Sequence, residues 1–131
     1  MPELTVTDLE ASPAFCLAAG FRIRFRRASP EFAHIEPGQA HVMLEQHHPG
    51  SWKTAELRPP YGRGLNLQIE VESVDRIRSR FAAGGIPLFE APAEAWYETA
   101  PGTQEGQIEL LAQDPDGYLM RFAQVLGTRR K

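Results

Sequence analysis

Several short stretches of the chain alternate apolar and polar residues with a period of two, and two longer stretches between them keep a helical spacing. Leu4-Thr5-Val6 has the alternation of a half-buried strand. Asp8 stands where it can cap a helix with Glu10 in the first turn, Pro13 early enough to be tolerated, and Gly20 as the stop. Phe21 to Phe25 alternates cleanly and predicts a second strand. Ala28-Ser29-Pro30 reads as a turn, Phe32 to Ile35 as a short strand, Pro37-Gly38 as a turn and Ala40 to Glu45 as a fourth strand. His47 to Gly64 is broken by Pro49-Gly50, Pro59-Pro60, Gly62 and Gly64 and reads as a linker. A strand over Leu65 to Glu72 and a helix over Val74 to Ala83 follow, stopped by Gly84-Gly85. Further strands are expected at Ile86 to Phe89, Ile108 to Ala112 and Tyr118 to Gln124, with Asp114-Pro115-Asp116-Gly117 as a tight turn.

This series of elements repeats. Leu4 to Glu10 aligns with Ile69 to Asp75 at an offset of 65, and the same offset places Gly20-Phe21 over Gly85-Ile86 and Ile23 over Leu88. Beyond that point Glu36-Pro37 falls over Asp114-Pro115 and Met43-Leu44 over Arg121-Phe122, an offset of 78. The change of 13 locates an insertion in the second half, around Ala93 to Gly106, a segment that carries Trp96 and Tyr97. The fold class is therefore α+β: two tandem βαβββ modules in a single domain over residues 1–127. Module one spans residues 2–47, the linker 48–64 and module two 65–125, and residues 128–131 form a basic tail expected to fray.

The strand pattern sorts faces as well. In Leu65 to Glu72, Leu67, Ile69 and Val71 point one way, while Asn66, Gln68 and Glu70 point the other. A polar face on a strand of this kind borders solvent or a wet ligand cavity.

Composition narrows the function classes. The net charge of −3 gives no support for nucleic-acid binding, which calls for a basic face. No apolar run is long enough to span a membrane, and Met1-Pro2-Glu3 leads into no signal-like segment, so a cytoplasmic location is expected. The single cysteine, Cys16, excludes an intrachain disulfide and lies in the apolar run Phe15 to Ala19, where it reads as a buried hydrophobe.

Val6-Thr7-Asp8-Leu9-Glu10, Gly20-Phe21, Val71-Glu72-Ser73-Val74-Asp75 and above all Asp114-Pro115-Asp116-Gly117-Tyr118 resemble the vicinal-oxygen-chelate superfamily, which includes glyoxalase I, dioxygenases and the bleomycin-resistance proteins. Tyr61 to Ile69 is similar to the bleomycin-resistance branch, and the first helix is one residue shorter than the family pattern. The resemblance implies that the eight strands curl into a cup, that a ligand enters its concave face, and that two copies form a homodimer. Family enzymes hold a divalent metal through four side chains, one from the first and one from the last strand of each module. The matching positions here are Met1, Met43, Asn66 and Arg121. A thioether is soft, an amide is weak and Arg is a fixed cation, so this set suits no divalent ion.

The expected ligand-binding residues are Met43, Glu45, Trp52, Tyr61, Asn66, Gln68, Trp96, Tyr97 and Arg121. Trp52 and Trp96, read as loop residues, offer stacking walls for a planar ligand, with Tyr61 and Tyr97 beside them. Arg121 has Glu70 or Glu45 as an ion-pair partner, or else offers its fork of donors to a ligand. His41, Glu45 and His47 share one strand parity, which leaves a displaced metal site open, and His47-His48 before Pro49-Gly50 reads as a solvated loop. No cofactor, metal or catalytic residue is expected. The reading is a small-molecule-binding protein that sequesters its ligand, a bleomycin-type antibiotic by the resemblance, in a cup at a dimer interface. The alternative is a metal-dependent enzyme of the glyoxalase or dioxygenase type with a displaced metal site. A third reading, an interaction module without a cup, would need large apolar residues where Asn66, Gln68 and Glu70 stand.

Overall fold

A computed structural model describes residues 1–28, 31–36 and 40–131, without the side chains of residues 12–14 and 31. The turns expected at Ser29-Pro30 and Pro37-Gly38 lie outside the described residues. Module one comprises β1 (Glu3–Val6), α1 (Ala11–Ala18), β2 (Arg22–Ala28), β3 (Glu31–Glu36) and β4 (Val42–Gln46). Module two comprises β5 (Asn66–Glu70), α2 (Val74–Ala83), β6 (Glu90–Ala100), β7 (Thr103–Gln113) and β8 (Leu119–Arg130). The two sheets have matching orders, β1-β4-β3-β2 and β5-β8-β7-β6, each with one parallel pair at the first strand.

The repeat read from the sequence holds at the level of register. Glu3 pairs with Met43 in the first sheet and Gln68 with Arg121 in the second, so the partners are related by the offsets 65 and 78. Side chains repeat it too. Gln46 accepts the Leu9 N–H at 2.8 Å, and its counterpart Gln124 accepts the Val74 N–H at 3.0 Å. In each module a glutamine on the last strand thereby satisfies an amide at the approach to the helix, a group the helix itself leaves unpaired.

The two modules share one core. Leu4, Val6, Ala33, Ile35, Val42 and Leu44 of the first sheet are buried with Ile69, Leu110, Ala112, Met120 and Phe122 of the second. Phe15 of α1 stacks on Phe81 of α2 at 5.6 Å, and Phe122 receives both Phe81 and Phe21 at 5.6 and 5.7 Å. Cys16 lies in this core at 2% exposure, and burial, helped by the Asp114 charge, pushes its thiol up to about 12.

The Asp114 to Tyr118 turn ties the modules together. Asp114 Oδ1 accepts the N–H groups of Asp116 and Tyr118 at 3.0 and 2.8 Å. Asp116 in turn accepts the Thr7 N–H at 3.0 Å and the Thr7 hydroxyl, while the Tyr118 hydroxyl donates to the Thr5 carbonyl at 2.8 Å. The linker closes over the same turn, with the Tyr61 N–H on the Asp116 carbonyl at 2.8 Å. Gly117 has φ +100°, and a Cβ there would lie 2.5 Å from Pro60 Cβ, so both backbone conformation and space require glycine.

Asp8 Oδ1 accepts the Glu10 N–H at 2.9 Å in the turn that leads into α1, as a capping side chain does, while the regular helix begins after Glu10, which makes no side-chain cap bond. Three expectations need correction. Ile86 to Phe89 is not a strand. Pro87 has no N–H to give, and the chain joins the ladder only when the Phe89 N–H reaches Leu111. The inserted residues are not a loop, because they lengthen the β6–β7 hairpin to 11 residues on each side, against 7 and 6 in β2 and β3. The tail is not frayed: β8 runs to Arg130, which pairs with Thr103.

Candidate functional site

Strand alternation gives each sheet one face in the core and one open face. On the second sheet the core face carries Ile69, Leu110, Met120 and Phe122, and the open face carries Asn66, Gln68 and Glu70 of β5, Gln107 and Glu109 of β7, and Arg121 of β8. The register sets Gln68 directly beside Arg121. Four of these residues and a tyrosine from β6 form one polar network. Arg121 Nη1 is 3.1 Å from Glu109 Oε2, the Gln107 amide donates to the same oxygen at 2.6 Å, and the Tyr97 hydroxyl donates to Glu109 Oε1 at 2.7 Å. Gln107 also reaches Gln68 Oε1 at 3.5 Å, the limit of a hydrogen bond.

Glu109 is the centre of this network. Burial pushes its carboxyl upward, but the hydrogen bonds from Tyr97 and Gln107 and the Arg121 charge outweigh burial and hold it below its ordinary value. The anion in turn raises Tyr97, chiefly through their hydrogen bond. Glu109 therefore faces Arg121 as a carboxylate at neutral pH. Arg121 Nε is buried and meets no acceptor among the described residues, so one donor of the guanidinium fork is not taken up by the protein.

The sequence had offered Glu70 or Glu45 as the Arg121 partner, and the structure gives Glu109 instead. Glu45 lies on the first sheet and meets His48 Nε2 at 3.1 Å. Glu109 and Gln107 were missed as site residues, although Gln107-Ile108-Glu109-Leu110 carries the alternation that puts both on the face opposite Leu110.

The remaining candidates are distributed as follows. Met43 lies on the first sheet, opposite Glu3 and His34. Trp52 stands on the linker, 93% exposed. Tyr61 packs edge-on against Tyr118, with ring centres 6.0 Å apart, and does not join Trp52. Asn66 is exposed at the start of β5. Trp96 is in a strand rather than a loop, and as the neighbour of Tyr97 it points to the other face. There it covers Gly106 and lies under Arg129, whose guanidinium is 3.9 Å from the ring centre. The structure thus brings Gln68, Tyr97 and Arg121 together and leaves Met43, Glu45, Trp52, Tyr61 and Trp96 elsewhere.

The metal positions implied by the family do not fit a divalent ion here. Arg121 occupies one of them and is already committed to Glu109, Met1 lies 66% exposed ahead of β1, and Met43 and Asn66 supply a thioether and an amide. A cation placed beside the guanidinium would meet like charge in a half-buried site.

No family model and no curated protein matches the chain by sequence. Solved structures do match it by shape over nearly its whole length. Bleomycin-binding protein, solved with bleomycin, superposes with a TM-score of 0.61 at 23% identity, covering 95% of each chain. TioX from Micromonospora sp. ML1 gives 0.68 at 21% identity, covering 96% of this chain and 98% of that one. Fosfomycin resistance protein FosX from Mesorhizobium loti gives 0.57 at 16% identity, covering 92% and 85%. The α+β arrangement of two tandem βαβββ modules is the vicinal-oxygen-chelate fold that these proteins share. Among the described residues no helix is long and apolar enough to cross a membrane.

Proposed function

We propose, from the vicinal-oxygen-chelate fold as premise, that this chain binds a small molecule without a metal on the open face of its second sheet and acts by sequestering it. The observation that carries the reading is the Gln68–Gln107–Glu109–Tyr97–Arg121 network, in which Arg121 stands at one of the positions where the family's enzymes hold a metal. A planar or amide-bearing ligand finds there a guanidinium donor, two amides and an anchored tyrosine, the few convergent polar groups that orient a ligand in such sites. The bleomycin complex among the structural neighbours makes a bleomycin-type antibiotic the first compound to test. Antibiotic resistance would follow from sequestration in the cytoplasm.

The same reading takes the working form to be a homodimer. Trp52, Phe25, Phe89 and Val125 are 93%, 54%, 54% and 56% exposed, and side chains of this kind are the ones a second copy would cover. Titration of EDTA-treated protein with bleomycin, followed by calorimetry and sedimentation, tests both parts. Saturable binding by a dimer is expected. No change at high micromolar drug removes the antibiotic, and a monomer at all concentrations removes the shared site.

A further inference from the structure

The open face of the first sheet holds a cluster of different chemistry. His34 and Glu36 lie two apart on β3 and so share a face, and His41 enters just ahead of β4, the neighbouring strand. His34 Nε2 and His41 Nδ1 are 2.9 Å apart, with their rings edge to face at 68°. Glu36 Oε1 is 3.8 Å from His41 Nδ1, and all three ligand atoms lie within 4.8 Å of one another. We propose that His34, Glu36 and His41 form a binding site for a first-row divalent transition ion such as Zn2+, separate from the small-molecule face of the second sheet.

The geometry suits coordination. Two nitrogens each about 2.1 Å from one ion stand about 3.0 Å apart at a right angle and about 3.4 Å apart at a tetrahedral angle. The observed 2.9 Å therefore matches the first separation and falls about half an ångström short of the second, and each ring turns its lone pair toward the ion. Two imidazoles and a carboxylate are the borderline donors that zinc and its neighbours prefer, and they leave positions for water. The contact between the two nitrogens is a hydrogen bond, and an ion would sit off the line between them and take a lone pair from each. His41 keeps 43% of its side chain exposed, which gives an ion a path from solvent.

Competition from the existing ion pairs is weak. Glu36 is held by Arg22 Nη2 at 3.0 Å and Arg24 Nη1 at 2.9 Å, but those arginine side chains are 83% and 62% exposed. Pairs that open to water contribute little, so Arg24 can swing away from Oε1 while Arg22 keeps Oε2. The other two histidines are engaged elsewhere: His47 with Lys53 at 3.0 Å and His48 with Glu45 at 3.1 Å.

Tag-free protein, dialysed against EDTA and then freed of it, is titrated with ZnCl2 by calorimetry. One ion per chain is expected. His34→Gln and His41→Gln should each weaken binding by at least about 100-fold, and Glu36→Gln by about tenfold. The double variant His47→Ala/His48→Ala should bind as the parent does. Circular dichroism confirms folding of each variant, and the imidazole nitrogen resonances of His34 and His41 in the unaltered protein should shift on adding Zn2+. Absence of stoichiometric binding overturns the proposal. So does binding lost with His47 and His48, or imidazole shifts confined to those two residues.

Discussion

Replacing Asp114 by Asn isolates one buried charge at the joint between the modules. The carboxyl is 6% exposed, and burial, reinforced by the Asp116 charge and opposed by the N–H groups of Tyr118, Asp116 and Gly117, raises it from 3.8 to about 6. The folded protein therefore holds this proton more tightly than the unfolded chain. The stability it contributes is complete below about pH 4 and is lost as pH rises through about 6. A shift of about two units corresponds to about 3 kcal/mol, most of it falling between about pH 4 and about pH 7. Asn keeps an oxygen for the N–H groups of Asp116 and Tyr118 but never ionises. Urea unfolding of parent and Asp114→Asn across that range, followed by circular dichroism, reads the difference directly. The parent should lose about 2 kcal/mol relative to the variant between about pH 4 and about pH 7. Titrating groups that do not interact with Asp114 are common to both proteins and cancel. Two stability curves that run parallel across the range would refute the reasoning, because the Asp114 proton would then be held equally in both states.

Three further outcomes follow from the same structure. Gly117→Ala puts a Cβ 2.5 Å from Pro60 Cβ at a φ of +100° and should lower unfolding stability by about 2 kcal/mol or more, measured by urea unfolding. Cys16, buried with its thiol raised to about 12, should resist Ellman's reagent in the native protein near pH 8 and react fully in guanidinium. Trp52→Ala should leave the stability of the chain within about 0.5 kcal/mol, since the ring is 93% exposed, and, on the dimer proposed above, should weaken self-association in sedimentation runs.

Alternation and punctuation made much of the fold readable. The helix Val74–Ala83 has the bounds that its apolar spacing and the Gly84-Gly85 stop indicate, and Asn66, Gln68 and Glu70 are exposed as the period of two requires. The β6–β7 hairpin was hidden because the apolar–polar alternation of Ala93-Glu94-Ala95 breaks at Trp96-Tyr97. Its alanines and glutamates resemble a loop or helix composition, and only pairing with β7 makes the segment a strand. The site was legible in part. Arg121 follows from its place four residues after Gly117 in the family pattern and Gln68 from the strand alternation, whereas Glu109 required knowing which strand lies beside β8. The cluster of His34, Glu36 and His41 was obscured for a similar reason. His41 was grouped with Glu45 by parity along one strand, while the structure turns it across to β3.

The central claim is that the polar open face of the second sheet receives a small molecule without a metal. Amide chemical-shift mapping in EDTA, with bleomycin and a library of planar amide-bearing fragments, tests it most directly. The account predicts perturbations at Gln68, Gln107, Glu109 and Arg121 that vanish in Arg121→Met. Perturbations confined to the first sheet, or none at these four residues with any compound, would contradict it.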